Sequence, residues 1–262
     1  MSTGLGSPGV SVDLNADVGE LAGEPGTPLP DRSLLDLVTT AHVACGFHAG
    51  DPELMRRTVT AALAAGVVVG AHPSYPDRRG FGRHPMDRSP SLVADDVAYQ
   101  VGALQAVART CGGRVRSVKA HGALYNRMAV DEACTLAVAG AVAALGDDLV
   151  LVVPAGSLAE AVARRQGVPT ATEGFCDRGY LPDGTLAPRS TAGAVVTDPE
   201  EAGRRAVAMA VNGRVTAVDG RELPLRCDTL CVHGDTPGAV AVAAAVRRAL
   251  TGAGVGLAPF AG

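Results

Sequence analysis

The sequence has no tryptophan, four tyrosines and four phenylalanines, so aromatic residues make up only 3% of its 262 positions. So few aromatics leave little to stack on bases. A net charge of −4 and a pI near 5.9 supply no basic footprint either, and nucleic-acid binding is excluded. No apolar run reaches the ~20 uncharged residues of a membrane-spanning helix. The first ten residues lack the basic and apolar regions of a signal peptide. The expectation is a soluble, cytoplasmic protein with no membrane partner. The cysteines (Cys45, Cys111, Cys134, Cys176, Cys227 and Cys231) form no C-x-x-C pair, which argues against a zinc ribbon or redox dithiol and for reduced, buried thiols.

Lysine is the scarcest charge. Of the 23 basic residues one, Lys119, is lysine and the rest are arginine. In that background Lys119 marks a position where a compact ammonium serves and a planar guanidinium does not. Lys119 lies between Val118 and Ala120, so there is no Walker A loop. Gly4–Gly9 matches G-x-G-x-x-G, but it precedes the first strand and contains Pro8, so it is no dinucleotide fingerprint. Neither a G-x-S-x-G elbow nor an H-E-x-x-H helix occurs.

What is present is core-forming material. A hydrophobic fraction of 47% with 19% charged residues excludes disorder. Short β-like runs alternate with Ala-rich helical stretches throughout. Strands are expected at Val10–Leu14, Thr40–Cys45, Val67–Ala71, Val115–Lys119, Leu149–Val153, Thr170–Gly174 and Thr229–Val232. Helices are expected at Asp31–Leu37, Pro52–Ala65, Ser91–Cys111, Asp131–Ala144, Ser157–Gln166, Pro199–Val211 and Pro237–Leu250. Asp51-Pro52 and Asp198-Pro199 each place a capping residue before proline at the first helical position. A small hairpin is expected around Asp219-Gly220. Seven βα units imply an α/β fold with a parallel sheet buried on both faces, either a barrel or doubly wound, in a single domain over residues 1–262.

Polar residues gather where strands run out. Asp13, Asn15 and Asp17 share one face of the first strand, and burying three such groups in a barrel is costly unless they are paired or used. Four of the six histidines, His48, His72, His121 and His233, follow predicted strands with Gly or Pro close by, which points to one shared site. Lys119 and His121 are two apart and face the same way. Past the sixth strand, Glu173 and Asp177 share parity, with Arg178 placed to pair with either. The loop Tyr75–Arg83 carries Arg78, Arg79 and Arg83 among glycines and aromatics, as an anion-binding lid would. Asp17, His48 and His72 have the residue types of a metal site, although no metal motif is present.

Six segments together resemble the LamB/YcsF family: Val12–Glu20, Ala44–Pro52, Gly70–Arg83, Val118–Asn126, Glu173–Tyr180 and Val232–Val240. His42 stands where that family usually has asparagine, and Ala120 where it usually has proline. The resemblance implies a seven-stranded parallel (β/α) barrel, TIM-like, of the glycoside hydrolase/deacetylase type. It also implies ATP-dependent opening of the 5-oxoproline lactam to L-glutamate, as a 5-oxoprolinase does, with partner subunits B and C. The missing P-loop fits ATP being handled on those partners. On this reading Asp17, His72 or His121 is the general base on water, and Lys119 and Arg178 hold phosphate and substrate carboxylate. His48 and His233 orient these groups or protonate the ring nitrogen, while Asp13, Asn15, Glu173, Asp177 and Arg79 complete the substrate-binding set. Two rivals are an ATP-independent, metal-dependent deacetylase or amidohydrolase, and a non-catalytic ligand-binding subunit.

Overall fold

A computed structural model describes residues 10–21, 27, 29–234 and 238–261. Strand β1 (Ser11–Val18) leads through a short helix, α1 (Arg32–Leu35), to β2 (Thr40–Ala44), α2 (Pro52–Ala64) and β3 (Val68–His72). There follow α3 (Pro90–Thr110), β4 (Val115–Lys119), α4 (Gly122–Met128), α5 (Glu132–Leu145), β5 (Val150–Pro154), α6 (Leu158–Arg165) and β6 (Thr170–Phe175). The chain continues as α7 (Pro199–Asn212), β7 (Arg214–Thr216), β8 (Glu222–Pro224), β9 (Thr229–Val232), α8 (Ala239–Gly252) and β10 (Gly256–Leu257). Strands β1 to β6 and β9 pair in parallel, and β9 pairs back onto β1, closing a seven-stranded barrel. β10 adds in parallel to the lower part of β1 (Ser11 opposite Gly256), and β7 and β8 form the expected hairpin.

The alternating pattern sets two environments. The outward residues Val12, Leu14, Ala16 and Val18 of β1, with Val43, Val69, Val118, Leu151 and Leu230, are buried in the apolar layer beneath the helices. Capping follows the sequence: Asp51 accepts from the Leu54 amide at 2.9 Å and Asp198 from the Glu200 amide at 3.0 Å, each before a proline. The start expected for the last helix, Pro237, lies outside the described residues. Helix α4 and strand β10 were not anticipated.

The barrel interior is polar where such barrels usually carry branched aliphatics. Asp13 accepts from Thr39 and Thr40 (2.6 Å each) and from Thr229. Asn15 donates to Thr229 at 2.7 Å and to Glu173 at 3.0 Å. His42, wholly buried, lies 3.3 Å from the Asn15 carbonyl oxygen and 3.2 Å from the Ser117 hydroxyl. Each layer satisfies the next, as buried polar groups require. All six cysteines are free; burial pushes the Cys45 and Cys227 thiols up to about 12 and that of Cys134 to about 11, so these three are inert at neutral pH.

Gly70 sits beside His42 on the neighbouring strand, directed into the same interior. A Cβ there would come within 2.4 Å of the His42 ring and 2.5 Å of the Ser117 hydroxyl. Gly70→Ala is expected to lower stability by about 1–3 kcal/mol, read as a fall in the urea midpoint. An unchanged midpoint would show that His42 and Ser117 move aside without cost.

Candidate functional site

At the C-terminal ends of the barrel strands lies a cavity of about 590 Å³ lined by Asp17, His72, Lys119, His121, Tyr125, Glu173, Phe175 and His233, with Arg83, Arg178 and Arg189 around it. Such a cavity at this face of a β/α barrel is the default candidate for chemistry.

Lys119 forms its floor. It is 2% exposed, and its ammonium lies 2.6 Å from Asp17 Oδ1, 3.0 Å from Glu173 Oε1, 3.0 Å from Asn15 Oδ1 and 3.3 Å from Cys231 Sγ. Burial works against the charged amine, but Asp17 and Glu173 outweigh it and hold Lys119 well above the usual lysine range. Burial likewise pushes Asp17 up, yet His72 and Lys119 together bring it well below the usual carboxylate range. Asp17 is therefore a carboxylate and Lys119 an ammonium at neutral pH. Glu173 is further held by the Tyr125 hydroxyl, which donates to Oε2 at 2.6 Å from helix α4.

Beside this triad lies an imidazole cluster. His72 places Nε2 3.2 Å from Asp17 Oδ2, and its Nδ1 bonds the Lys119 carbonyl at 2.8 Å. His121 Nδ1 is 2.9 Å from His72 Nε2, and its Nε2 bonds the Phe81 carbonyl at 2.8 Å. The ring of His48 stacks on that of His121, with centroids 3.9 Å apart and planes 2° from parallel, and its Nε2 is 2.9 Å from Glu20 Oε1. Burial, then the neighbouring imidazoles, holds His48 and His121 well below the usual histidine range. Glu20, His48, His72 and His121 offer ligand atoms all within 4.8 Å of one another, as do Asp17, Cys231 and His233.

Several expectations resolve differently. His233 belongs with Asp177, which accepts both its amide and its ring Nδ1 at 2.9 Å; Asp177 orients a cavity wall without lining it. Arg178 pairs with neither Glu173 nor Asp177: its guanidinium donates to the Ala187 and Ala194 carbonyls, at 2.7 and 3.1 Å, tying down the loop over the cavity. Asp13 sits below the site, within its ring of threonines. Arg79 is exposed and stands outside the cavity lining because its loop turns it to solvent; Arg83 takes the inward position, 4.9 Å over the Phe81 ring. His48 stands behind the lining residues. Glu20 and Tyr125 were not singled out as site residues from sequence, and Arg83 only as one of the three arginines of the expected lid. The run Val12–Glu20 held the signal for Glu20, two residues past the end of β1.

Residues 12–262 match the LamB/YcsF family. The chain belongs to that family. Among its relatives, the A subunit of 5-oxoprolinase from Heliobacterium modesticaldum is 50% identical over 244 residues, covering 93% of this chain and 96% of that protein. The corresponding A subunit from Methylococcus capsulatus is 49% identical over 252 residues, 96% of each. The crystal structure of the lactam utilization protein from Thermus thermophilus superposes with a TM-score of 0.88 at 48% identity, over 95% of this chain and all of that one. As in that structure, the fold is the seven-stranded barrel the sequence implied.

Lys119→Met leaves two buried carboxylates without their cation. The expected loss is about 3–5 kcal/mol of folding stability, measured by chemical denaturation. A loss below about 1 kcal/mol would mean that the ammonium is not the group holding Asp17 and Glu173 together.

Proposed function

We propose that this chain is the A subunit of an ATP-dependent 5-oxoprolinase, opening 5-oxo-L-proline to L-glutamate in the cytoplasm together with partner subunits B and C. The observation that carries this reading is the near-complete coverage, at about half identity, by relatives named as the A subunit of 5-oxoprolinase. The cavity supports it. It sets anion-binding arginines against a floor holding a carboxylate already ionised, which suits a small substrate bearing a carboxylate.

A lactam is a stable amide, and phosphorylating its oxygen makes the ring carbon more electrophilic toward water and drives the opening by the eventual loss of phosphate. With no Walker A loop in this sequence, phosphorylation of that oxygen by ATP is assigned to the partners. The barrel then receives the phosphorylated ring. Arg83, Arg178 and Arg189 lie where phosphate and substrate carboxylate would be held, and this is charge stabilisation rather than proton transfer. Asp17, fixed by Lys119 on one oxygen and His72 near the other, takes a proton from water as that water adds to the ring carbon. The carbon–nitrogen bond breaks, the ring nitrogen takes up a proton with His233 as its donor, and an acyl phosphate remains. A second water converts it to glutamate and phosphate.

Glutamate release from 5-oxoproline is expected only with ATP and all three subunits present. Release by this chain alone, or none from a complete folded mixture, contradicts the reading. Asp17→Asn in the complete mixture should lower kcat by about 10²–10⁴-fold with the complex still assembled. Full activity in that variant would remove Asp17 as the base.

A further inference from the structure

The imidazoles beside Asp17 pose a problem of protons. A carbonyl oxygen only accepts, so the Lys119 carbonyl requires a proton on His72 Nδ1, and the Phe81 carbonyl requires one on His121 Nε2. In neutral rings this leaves His72 Nε2 and His121 Nδ1 as bare lone pairs, and these two atoms face each other at 2.9 Å. Glu20 Oε1 lies 3.3 Å from the His121 nitrogen and 3.9 Å from that of His72, and Asp17 Oδ2 is 3.2 Å from the latter. Four acceptors thus converge on a small volume. A proton on His72 Nε2 serves Asp17 and His121 but leaves Glu20 Oε1 opposed to the His121 nitrogen, whereas a divalent ion draws both imidazoles and Glu20 onto one centre.

We propose that Glu20, His72 and His121 bind a divalent first-row transition ion of the zinc class. Bonds of about 2.0–2.1 Å in a tetrahedron set ligand atoms about 3.3–3.4 Å apart. The observed separations of 2.9, 3.3 and 3.9 Å bracket that spacing. The two imidazole planes meet at 85°, so their in-plane lone pairs converge. His48 is not a ligand: its ring is parallel to that of His121, and one ion cannot lie in both planes. It acts on Glu20 instead, donating Nε2–H to the carboxylate and setting its position, as groups behind metal ligands do.

The surroundings are built to keep both rings in this tautomer. Phe81 holds a φ of +56°, a left-handed conformation that is strained for a bulky residue, and its carbonyl is the one that fixes His121. Gly82, at φ +66°, packs so closely that a Cβ would fall 2.8 Å from His121 and 2.9 Å from His48. His72 and His121 border the cavity, so an ion held between them adjoins the space proposed for substrate. Two imidazoles and one carboxylate leave a coordination position open, as catalytic rather than structural zinc sites do. The ion site stands on the cluster and not on the substrate assigned above, and its test needs no substrate.

The full-length chain, stripped with chelator, would be titrated with Zn²⁺ and Co²⁺, with Mg²⁺ for comparison. The expected result is one Zn²⁺ or Co²⁺ per chain, a cobalt d–d absorption typical of nitrogen ligation, and no competing Mg²⁺. Glu20→Gln and His121→Ala should each weaken Zn²⁺ binding by about 100-fold or more, while His84→Ala, on an exposed loop, leaves it unchanged. Far-UV circular dichroism of each variant separates lost ligands from lost fold. If a variant does not fold, the wild-type cobalt spectrum and imidazole ¹⁵N shifts on adding Zn²⁺ decide the matter. No 1:1 binding by the wild type, binding that survives both ligand substitutions, or ¹⁵N shifts showing one proton shared by His72 and His121 and unmoved by Zn²⁺ would each overturn the assignment.

Discussion

The ammonium of Lys119, buried among Asp17, Glu173 and Asn15, is the interaction on which the rest of the barrel interior depends. Removing three charges from water is unfavourable, and the arrangement persists because the lysine nitrogen has partners on every side within about hydrogen-bond distance. Its consequences spread outward. Glu173, held on one oxygen, offers the other to Tyr125 and so fixes helix α4 above the cavity. Asp17, held on one oxygen, presents the other to His72, whose ring is anchored in turn by the Lys119 main chain. One residue thus supplies a charge through its side chain and a tautomer through its carbonyl.

Below that floor the polar layers form a continuous scaffold from Asp13 through Thr229 and Asn15 to Glu173. An aliphatic interior would be more forgiving to pack, but it would not orient a carboxylate. Hydrogen bonds have directions, and a chain of them transmits position from the bottom of the barrel to its mouth. The apolar work is left to the other face of each strand, packed against the helices.

This division explains what the sequence disclosed. Strand positions were legible because apolar residues mark the outward face, and the polar alternation Asp13, Asn15, Asp17 placed those side chains inside correctly. His72 and His121 converge as their common place after strands suggested, and Lys119 joins them as its spacing from His121 on the fourth strand suggested. Glu20 escaped notice because Gly19, at φ +72°, turns the chain just past β1 and ends the period of two on which the reading relied. Tyr125 reaches the site from a short helix hidden between two more obvious elements. The inward arginine of the loop, Arg83 rather than Arg79, depends on a turn through Phe81 and Gly82 that no periodicity encodes. His233 pairs with Asp177 across 56 residues of sequence, a distance at which only the closed barrel brings groups together.

The solitary lysine has a consequence for handling the molecule. Amine-directed reagents find one side-chain target here, and it is 2% exposed inside a closed barrel. A lysine-specific protease likewise meets a single scissile bond, at the end of β4 and its ladder of strand pairing. That bond becomes accessible when the barrel opens as a unit rather than when loops fray. Cleavage at one position into two defined fragments therefore counts opening events of the whole barrel, and the chain carries its own clock for them.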